Sequence, residues 1–164
     1  MISHLPPSRV FTGQAADRFA TWRRLILWYS SRKLTYNTDR LSALSGVASI
    51  WPGAEKGRYL CGVWAGDLVN CLVWMAKGPN LASDPAAYVA PSWSWASIHR
   101  GVQWVEMSTN EPEVLITADE ARSGCLLDTT DPFGRVKAGW LAVQGRIVKL
   151  RLKSRRPGLE SVAR

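Results

Sequence analysis

Long hydrophobic runs are missing from this chain of 164 residues. No apolar segment reaches the roughly 18 to 20 residues that a membrane-spanning helix requires. The first ten residues carry two prolines instead of the apolar core of a secretion signal. These absences argue against an integral membrane protein and against a secreted one. We therefore expect a soluble protein in the cytoplasm, with no membrane partner.

Cysteine is also scarce. Cys61, Cys71 and Cys125 are odd in number and lie among apolar residues, which suits buried free thiols better than a disulfide framework. None of them forms, with another cysteine or with His99, the closely spaced ligand pair that structural zinc sites use. The glycines form no phosphate-binding loop after a strand. The sequence therefore predicts no metal site, no cofactor and no nucleotide site.

Acidic residues are fewer than basic ones, which gives a formal net charge of +8. Most of the excess lies in residues 146–164, which contain seven Lys or Arg and one Glu. There Lys149, Arg151 and Lys153 alternate with apolar residues, as in a half-buried strand. A nuclear-import or polyanion-binding patch at residues 153–156 is the alternative. Because the charge is not spread over a broad face, we expect nucleic-acid binding to be weak and salt-sensitive, and we predict no nucleic-acid partner.

Nine tryptophans are spread along the chain, and we interpret them as core anchors. They are Trp22, Trp28, Trp51, Trp64, Trp74, Trp93, Trp95, Trp104 and Trp140. The segment Pro91-Ser92-Trp93-Ser94-Trp95 holds two of them at a spacing that predicts a strand, with both indoles on one face. Burying the pair contributes about 8–12 kcal/mol of gross hydrophobic stabilisation, as an upper bound. We expect the rest of the chain to fold around this structural motif.

Helical periodicity is confined to the first half of the chain. Apolar spacing predicts a helix over 15–31, a second helix capped by Thr38 or Asp39, and a third capped by Asp67 and continuing to Met75. Residues 59–64, between the last two helices, are predicted to form a short buried strand or a tight connection. The later part is strand-like instead. The predicted strands are 102–107, 114–117 and 140–152, with turns at 123–124 and 131–134.

Helices followed by strands indicate the α+β class, with a helical N-terminal half packed on an antiparallel β C-terminal half. We predict one domain over 13–153. Residues 1–12 are expected to be a flexible N-terminus and residues 154–164 a disordered basic tail, because both offer little apolar surface for burial.

Several segments, in order and spacing, resemble the region downstream of the HET domain in fungal heterokaryon-incompatibility proteins. These segments are Leu34-Thr35 with 39–46, Tyr59-Leu60-Cys61-Gly62-Val63-Trp64, Leu72-Val73-Trp74, Ala90-Pro91-Ser92-Trp93-Ser94-Trp95-Ala96, Asp131-Pro132-Phe133-Gly134, Gly139-Trp140-Leu141 and Gln144-Gly145-Arg146. Together they cover roughly residues 22–152.

The resemblance implies a non-enzymatic accessory or interaction domain of the non-self recognition system. The HET domain, which lies upstream in such proteins, does not occur in this sequence. The chain is therefore expected to be a truncated paralogue, a gene fragment or a short gene model. A HET domain or another protein is the implied partner.

The residues leave one alternative open, which is a small hydrolase or ligand-binding domain with a Trp-lined cleft around His99. A Ser-His-Asp arrangement would need Asp67 or Asp84 to orient the imidazole, and a serine such as Ser94 beyond it. No nucleophile-elbow motif supports this, so no catalytic residue is assigned. The alternative requires that His99 share a concave pocket with a carboxylate and a hydroxyl.

Overall fold

The computed structural model describes residues 15–52, 57–78, 88–104, 116–146 and residue 149. The described helices are α1 (Ala15–Tyr29), α2 (Ser42–Ser49) and α3 (Leu68–Leu72). The described strands are β1 (Tyr59–Leu60), β2 (Val63–Trp64), β3 (Trp74–Ala76), β4 (Val102–Trp104), β5 (Ile116–Leu127) and β6 (Val136–Gly145). They form three antiparallel pairs, β1 with β2, β3 with β4 and β5 with β6. The helices precede the longest strands, which confirms the predicted α+β class.

The helix α1 joins the helical part of the molecule to the strands. Trp22 and Ile26, four residues apart on one face, are fully buried, while Trp28 on another face is exposed. The buried face contacts β4. Just beyond the helix end, the hydroxyl of Ser30 donates to the carbonyl of Leu27 at 3.3 Å, and such side-chain bonds compete with further helix.

A tight hairpin links β1 to β2 where the sequence predicted either a short buried strand or a tight connection. Leu60 pairs with Val63, which leaves Cys61 and Gly62 as a two-residue turn. Both have positive φ, 48° at Cys61 and 100° at Gly62, as type I′ hairpin turns require. The turn points its backbone carbonyls into the core, where they need donors.

The segment Pro91-Ser92-Trp93-Ser94-Trp95 supplies these donors. The predicted strand there is wrong, because the backbone turns with Ser94 N–H donating to Pro91 O and then forms a short 3₁₀ helix over Trp95–Ser97. Ser94 Oγ donates to Cys61 O at 2.6 Å, and Trp95 Nε1 donates to Gly62 O at 2.9 Å. A strand would place these two side chains on opposite faces, whereas the turn brings both onto the hairpin.

Aromatic rings surround this contact. Trp22 Nε1 also donates to the Gly62 carbonyl, at 3.1 Å. The Trp22 ring meets Trp51 and Trp64 edge to face, with centroids 4.9 and 5.7 Å apart. Trp64, Trp22 and Trp95 are each at most 1% exposed. The core therefore forms where α1, the hairpin and the Trp95 segment converge.

The prediction that all nine tryptophans anchor the core is wrong for two of them. Trp28 is 58% exposed and Trp140 is 53% exposed. Trp140 lies across Gly124 on the neighbouring strand, where a Cβ would lie 2.6 Å from the indole. These two rings cover surface instead of filling the interior.

Asp39 and Asp67 do not cap helices as predicted. Asp39 lies in a 3₁₀ helix before α2 and pairs with Arg135 at 2.8 Å. Asp67 occupies the residue before α3, yet its carboxylate forms an ion pair with Arg23 instead of a cap. Both carboxylates therefore bond to a guanidinium in place of the backbone N–H groups of a helix start.

The third helix is shorter than predicted. It ends at Leu72, and Trp74 to Ala76 form β3 opposite β4, with Trp74 paired to Trp104. The sequence predicted helix through Met75. The β-branched Val73 and the aromatic Trp74 favour extended backbone, and pairing with β4 provides the bonds that a longer helix would have provided.

The β5–β6 pair differs from its predicted pieces. The predicted turn at Ser123-Gly124 is wrong, because both residues lie inside β5 beside a register shift. Ser123 Oγ bridges the irregularity by donating to Asp119 O at 2.7 Å and accepting from Ala142 N at 3.0 Å. The turn at 131–134 is confirmed by Gly134 N–H donating to Asp131 O.

The last predicted strand begins earlier and ends earlier than expected. It runs from Val136 to Gly145, whereas the sequence predicted 140–152. Most of the remainder of that prediction, like the predicted N-terminus at 1–12 and the tail at 154–164, lies outside the described residues. No helix among the described residues is both long and apolar enough to cross a lipid bilayer.

Candidate anion-binding cleft

A cleft of about 440 Å³ opens where the end of α1 meets the segment before β4. Four Lys or Arg side chains and one His line it, and none of the described lining residues is acidic. The lining residues are Ser30, Ser31, Arg32, Lys33, Leu34, Asn37, Arg40, His99, Arg100 and Gly101. Only His99 among them was a candidate from the sequence.

Arg40 holds the two walls of the cleft together. Arg40 is 2% exposed. Its Nη2 donates to Ser30 O at 3.1 Å and to Arg100 O at 2.9 Å. The guanidinium carbon lies 5.4 Å from the centre of the Trp95 ring, a favourable cation–π geometry. Burial lowers the pKa of Arg40, but an arginine stays protonated in proteins. The cleft therefore has a permanent positive charge at its base.

The same wall is fixed by Ser30. Its hydroxyl accepts from Val102 N at 3.0 Å, which attaches the end of α1 to the start of β4. Gly101 lies so close that a Cβ there would be 2.6 Å from Ser31 Oγ. These contacts set the distance between the walls without using the basic side chains at the rim.

Two buried polar nitrogens in the cleft lack partners. His99 Nδ1 and Arg40 Nε have no hydrogen-bond partner among the described residues. An unpaired buried polar atom costs about 1–3 kcal/mol. Both atoms are enclosed, so a ligand in the cleft reaches them only if a neighbouring side chain moves.

The rim of the cleft is both cationic and aromatic. The guanidinium of Arg32 stacks on the exposed ring of Trp28, 3.9 Å from its centre. An adjoining hollow of about 260 Å³ shares Ser31 and Arg32 with the cleft and is lined further by Trp28 and Lys77. This cation–π contact holds the Arg32 guanidinium at the border of the two hollows.

The residues of the alternative Ser-His-Asp hypothesis lie in different places. Asp67 lines a separate hollow of about 280 Å³, and His99 does not. The Asp67 carboxylate is occupied by Arg23, by Asn70 Nδ2 at 2.8 Å and by Cys71 Sγ at 3.4 Å. The Ser94 hydroxyl donates to Cys61 O and accepts from Ala96 N. The described residues therefore bring no carboxylate to His99, and Asp84 lies outside them.

Metal chemistry has no evident centre in the described part of the chain, where no three His, Cys, Asp or Glu side chains converge. The basic cleft could not be predicted from the sequence, because the residues that line it are far apart in the chain. Arg40 and Arg100 are 60 residues apart, and Ser30 and Val102 are 72 apart. The local signal was only Arg32-Lys33 at the end of a helix.

Comparison of the chain with known proteins found no match. No protein-family model matches the chain, and neither a curated protein nor a solved structure matches it.

Proposed function

We propose that this chain is a non-enzymatic interaction domain that holds an acidic segment of a protein partner in the cleft around Arg40. The observation that carries the proposal is the lining itself, with four cationic side chains, one imidazole and no described carboxylate. Like charges gathered in one cleft repel one another, and an anion relieves that repulsion. Ion pairs formed there are strengthened by the buried guanidinium below them.

The resemblance to the region downstream of the HET domain supplies the class of partner within this proposal. A HET domain, or another protein of the fungal non-self recognition response, would provide the acidic segment. The chain would then act as an accessory domain that binds this partner. We place this role in the cytoplasm, where the three free thiols of the chain suit a reducing environment.

The unpaired His99 favours a second candidate, a domain that binds a small anionic ligand. Its Nδ1 is buried without a described partner, and the hydroxyl-bearing Ser31 lines the same cleft. A small phosphate or carboxylate compound would fit the same cationic lining without a protein partner. Hydrolysis would further require a carboxylate beside His99.

The test is the binding of a fluorescein-labelled peptide of alternating Glu and Ser residues, followed by fluorescence anisotropy at low and at physiological salt. Lys33→Glu and Arg32→Glu should each weaken binding about tenfold, which corresponds to about 1.4 kcal/mol. Arg24→Glu is the matched control, because Arg24 is an exposed arginine of α1 outside the cleft. It makes the same change in net charge and should leave the affinity nearly unchanged.

Three outcomes would contradict the proposal. Equal weakening by Arg24→Glu would mean that the peptide responds only to net charge. Displacement of the peptide by pyrophosphate, with an inhibition constant below the dissociation constant of the peptide, would favour the small-ligand candidate. Tighter binding of a single-stranded oligonucleotide than of the peptide would assign the cleft to nucleic acid.

A further inference from the structure

Two cysteines that are far apart in sequence lie side by side in the fold. Cys61 is in the hairpin turn, and Cys125 is in β5 directly opposite Gly139 of β6. A Cβ built on Gly139 would lie 2.9 Å from Cys61 Sγ. Paired residues of antiparallel strands point to the same face with Cβ atoms about 4.5–5.5 Å apart. Gly139 has no side chain, and Cys61 Sγ lies where that side chain would be. Cys61 Sγ is therefore a neighbour of the Cys125 side chain on the same face.

The two thiols differ in access and in charge environment. Cys61 is 1% exposed, whereas Cys125 is partly exposed. The two thiols lie close enough for each to shift the pKa of the other. The Cys61 thiol, its backbone N–H and the nearby Arg58 lower the pKa of Cys125 to about 6, against the opposing effect of burial. The nearby Cys125 thiol and burial raise the pKa of Cys61.

The other titratable groups around the pair leave the pKa of Cys125 below that of Cys61. Tyr59 and Tyr88 both face the two sulfurs, and burial raises the pKa of each phenol, so both stay neutral near pH 7. Asp131 acts on Tyr59 and does not contribute to either thiol. Cys125 is thus the thiolate of the pair, and Cys61 is its neutral thiol.

We propose that Cys61 and Cys125 form a peroxide-reactive dithiol, in which Cys125 is the attacking thiolate and Cys61 the resolving thiol. In the first step Cys125 Sγ attacks one oxygen of hydrogen peroxide, the O–O bond breaks, and the departing hydroxide takes up a proton to become water. Cys125 is oxidised to a sulfenic acid. The sulfur of Cys61 then attacks Cys125 Sγ, the S–O bond breaks, and the Cys61 proton leaves with the hydroxide as a second water. The net change is two thiols and one peroxide converted to one disulfide and two waters.

The disulfide would join the hairpin turn to β5. Cys61 is also the residue whose carbonyl accepts from Ser94 Oγ at 2.6 Å, so oxidation fixes the turn that Ser94 and Trp95 already hold. A thiol reductant would reverse the bond by exchange.

Cys71 provides an internal control. It is 1% exposed, its thiol bonds to Asp67, and burial together with the nearby carboxylate raises its pKa. A neutral, enclosed thiol reacts slowly with peroxide. Cys71 should therefore stay reduced under conditions that oxidise the Cys61–Cys125 pair.

The experiment treats the full reduced chain with hydrogen peroxide, blocks remaining thiols with N-ethylmaleimide and maps peptides by mass spectrometry. The wild-type chain should lose two hydrogens and yield a peptide linking Cys61 to Cys125, with Cys71 alkylated. Cys61→Ser should instead accumulate a sulfenic acid on Cys125 that dimedone traps. Cys71→Ser should still form the link. The proposal is overturned if wild-type protein gives no linked peptide, or if Cys71 oxidises as fast as Cys125.

A second measurement uses unmodified protein, so it does not depend on a variant that folds. The rate at which iodoacetamide alkylates Cys125 should rise with pH through a midpoint near 6. A midpoint near the ordinary thiol value of about 8.5 would contradict the proposal.

Discussion

At the scale of single residues, burial separates tryptophans that the sequence presents as equivalent. Trp95 is 0% exposed and donates to the Gly62 carbonyl, whereas Trp140 is 53% exposed on the β5–β6 pair. Removing a large buried ring leaves a cavity and takes one of two donors from the Gly62 carbonyl, while removing an exposed ring loses mainly cross-strand contact. The residue type is the same, and the consequence of losing it differs by several kcal/mol.

We expect Trp95→Ala to destabilise the domain by about 3–5 kcal/mol and Trp140→Ala by less than about 1 kcal/mol. The measurement is the free energy of unfolding from urea titration. Trp95→Phe, which keeps most of the volume and loses the indole N–H, serves as a second variant if Trp95→Ala fails to fold. Equal stability of Trp95→Ala and Trp140→Ala would refute the central position of Trp95.

At the scale of elements, the hairpin turn depends on one glycine. At Gly62 an added Cβ would lie 2.7 Å from Trp95 Nε1, and the φ of 100° disfavours any side chain. Positive φ costs a non-glycine residue about 1–2 kcal/mol, and overpacking costs about 1–3 kcal/mol more. Gly62→Ala should therefore lower the free energy of unfolding by about 2–5 kcal/mol.

Gly46 in α2 is the matched control, because an added Cβ meets nothing within 4 Å there. Alanine has the higher helix propensity, so Gly46→Ala should raise stability by up to about 1 kcal/mol. Thermal unfolding of both variants gives the comparison. If Gly62→Ala unfolds at the same temperature as Gly46→Ala, the turn does not depend on the positive φ of Gly62 or on its close contact with Trp95.

Elements that arise from local patterns could be predicted, and those that depend on distant partners could not. The 3.6-residue period of α1 and the turn residues at 131–134 are complete within a short window. The Trp93-Ser94-Trp95 segment has the period of a strand, but its donors bind carbonyls 33 residues upstream. Those tertiary bonds favour a turn and a 3₁₀ helix over the local preference.

At the scale of the whole molecule, the candidate cleft depends on contacts that no local pattern contains. His99 was identified in advance, but as part of a triad with Asp67 and Ser94, which the fold places elsewhere. Arg40 had no signal in the sequence beyond its charge. Its role follows from its bonds to Ser30 O, just beyond the end of α1, and to Arg100 O, which is 60 residues away in the chain.

The most direct test of the anion-binding cleft is to map the acidic peptide onto the isotope-labelled chain by NMR. Titration with the Glu-Ser peptide should shift the amide signals of residues 30–34 and 99–101, together with the ring signals of His99. The shifts should vanish in high salt, because the contacts are ionic. Shifts that are spread over the surface, or concentrated on the β5–β6 pair with none at His99, would contradict the account.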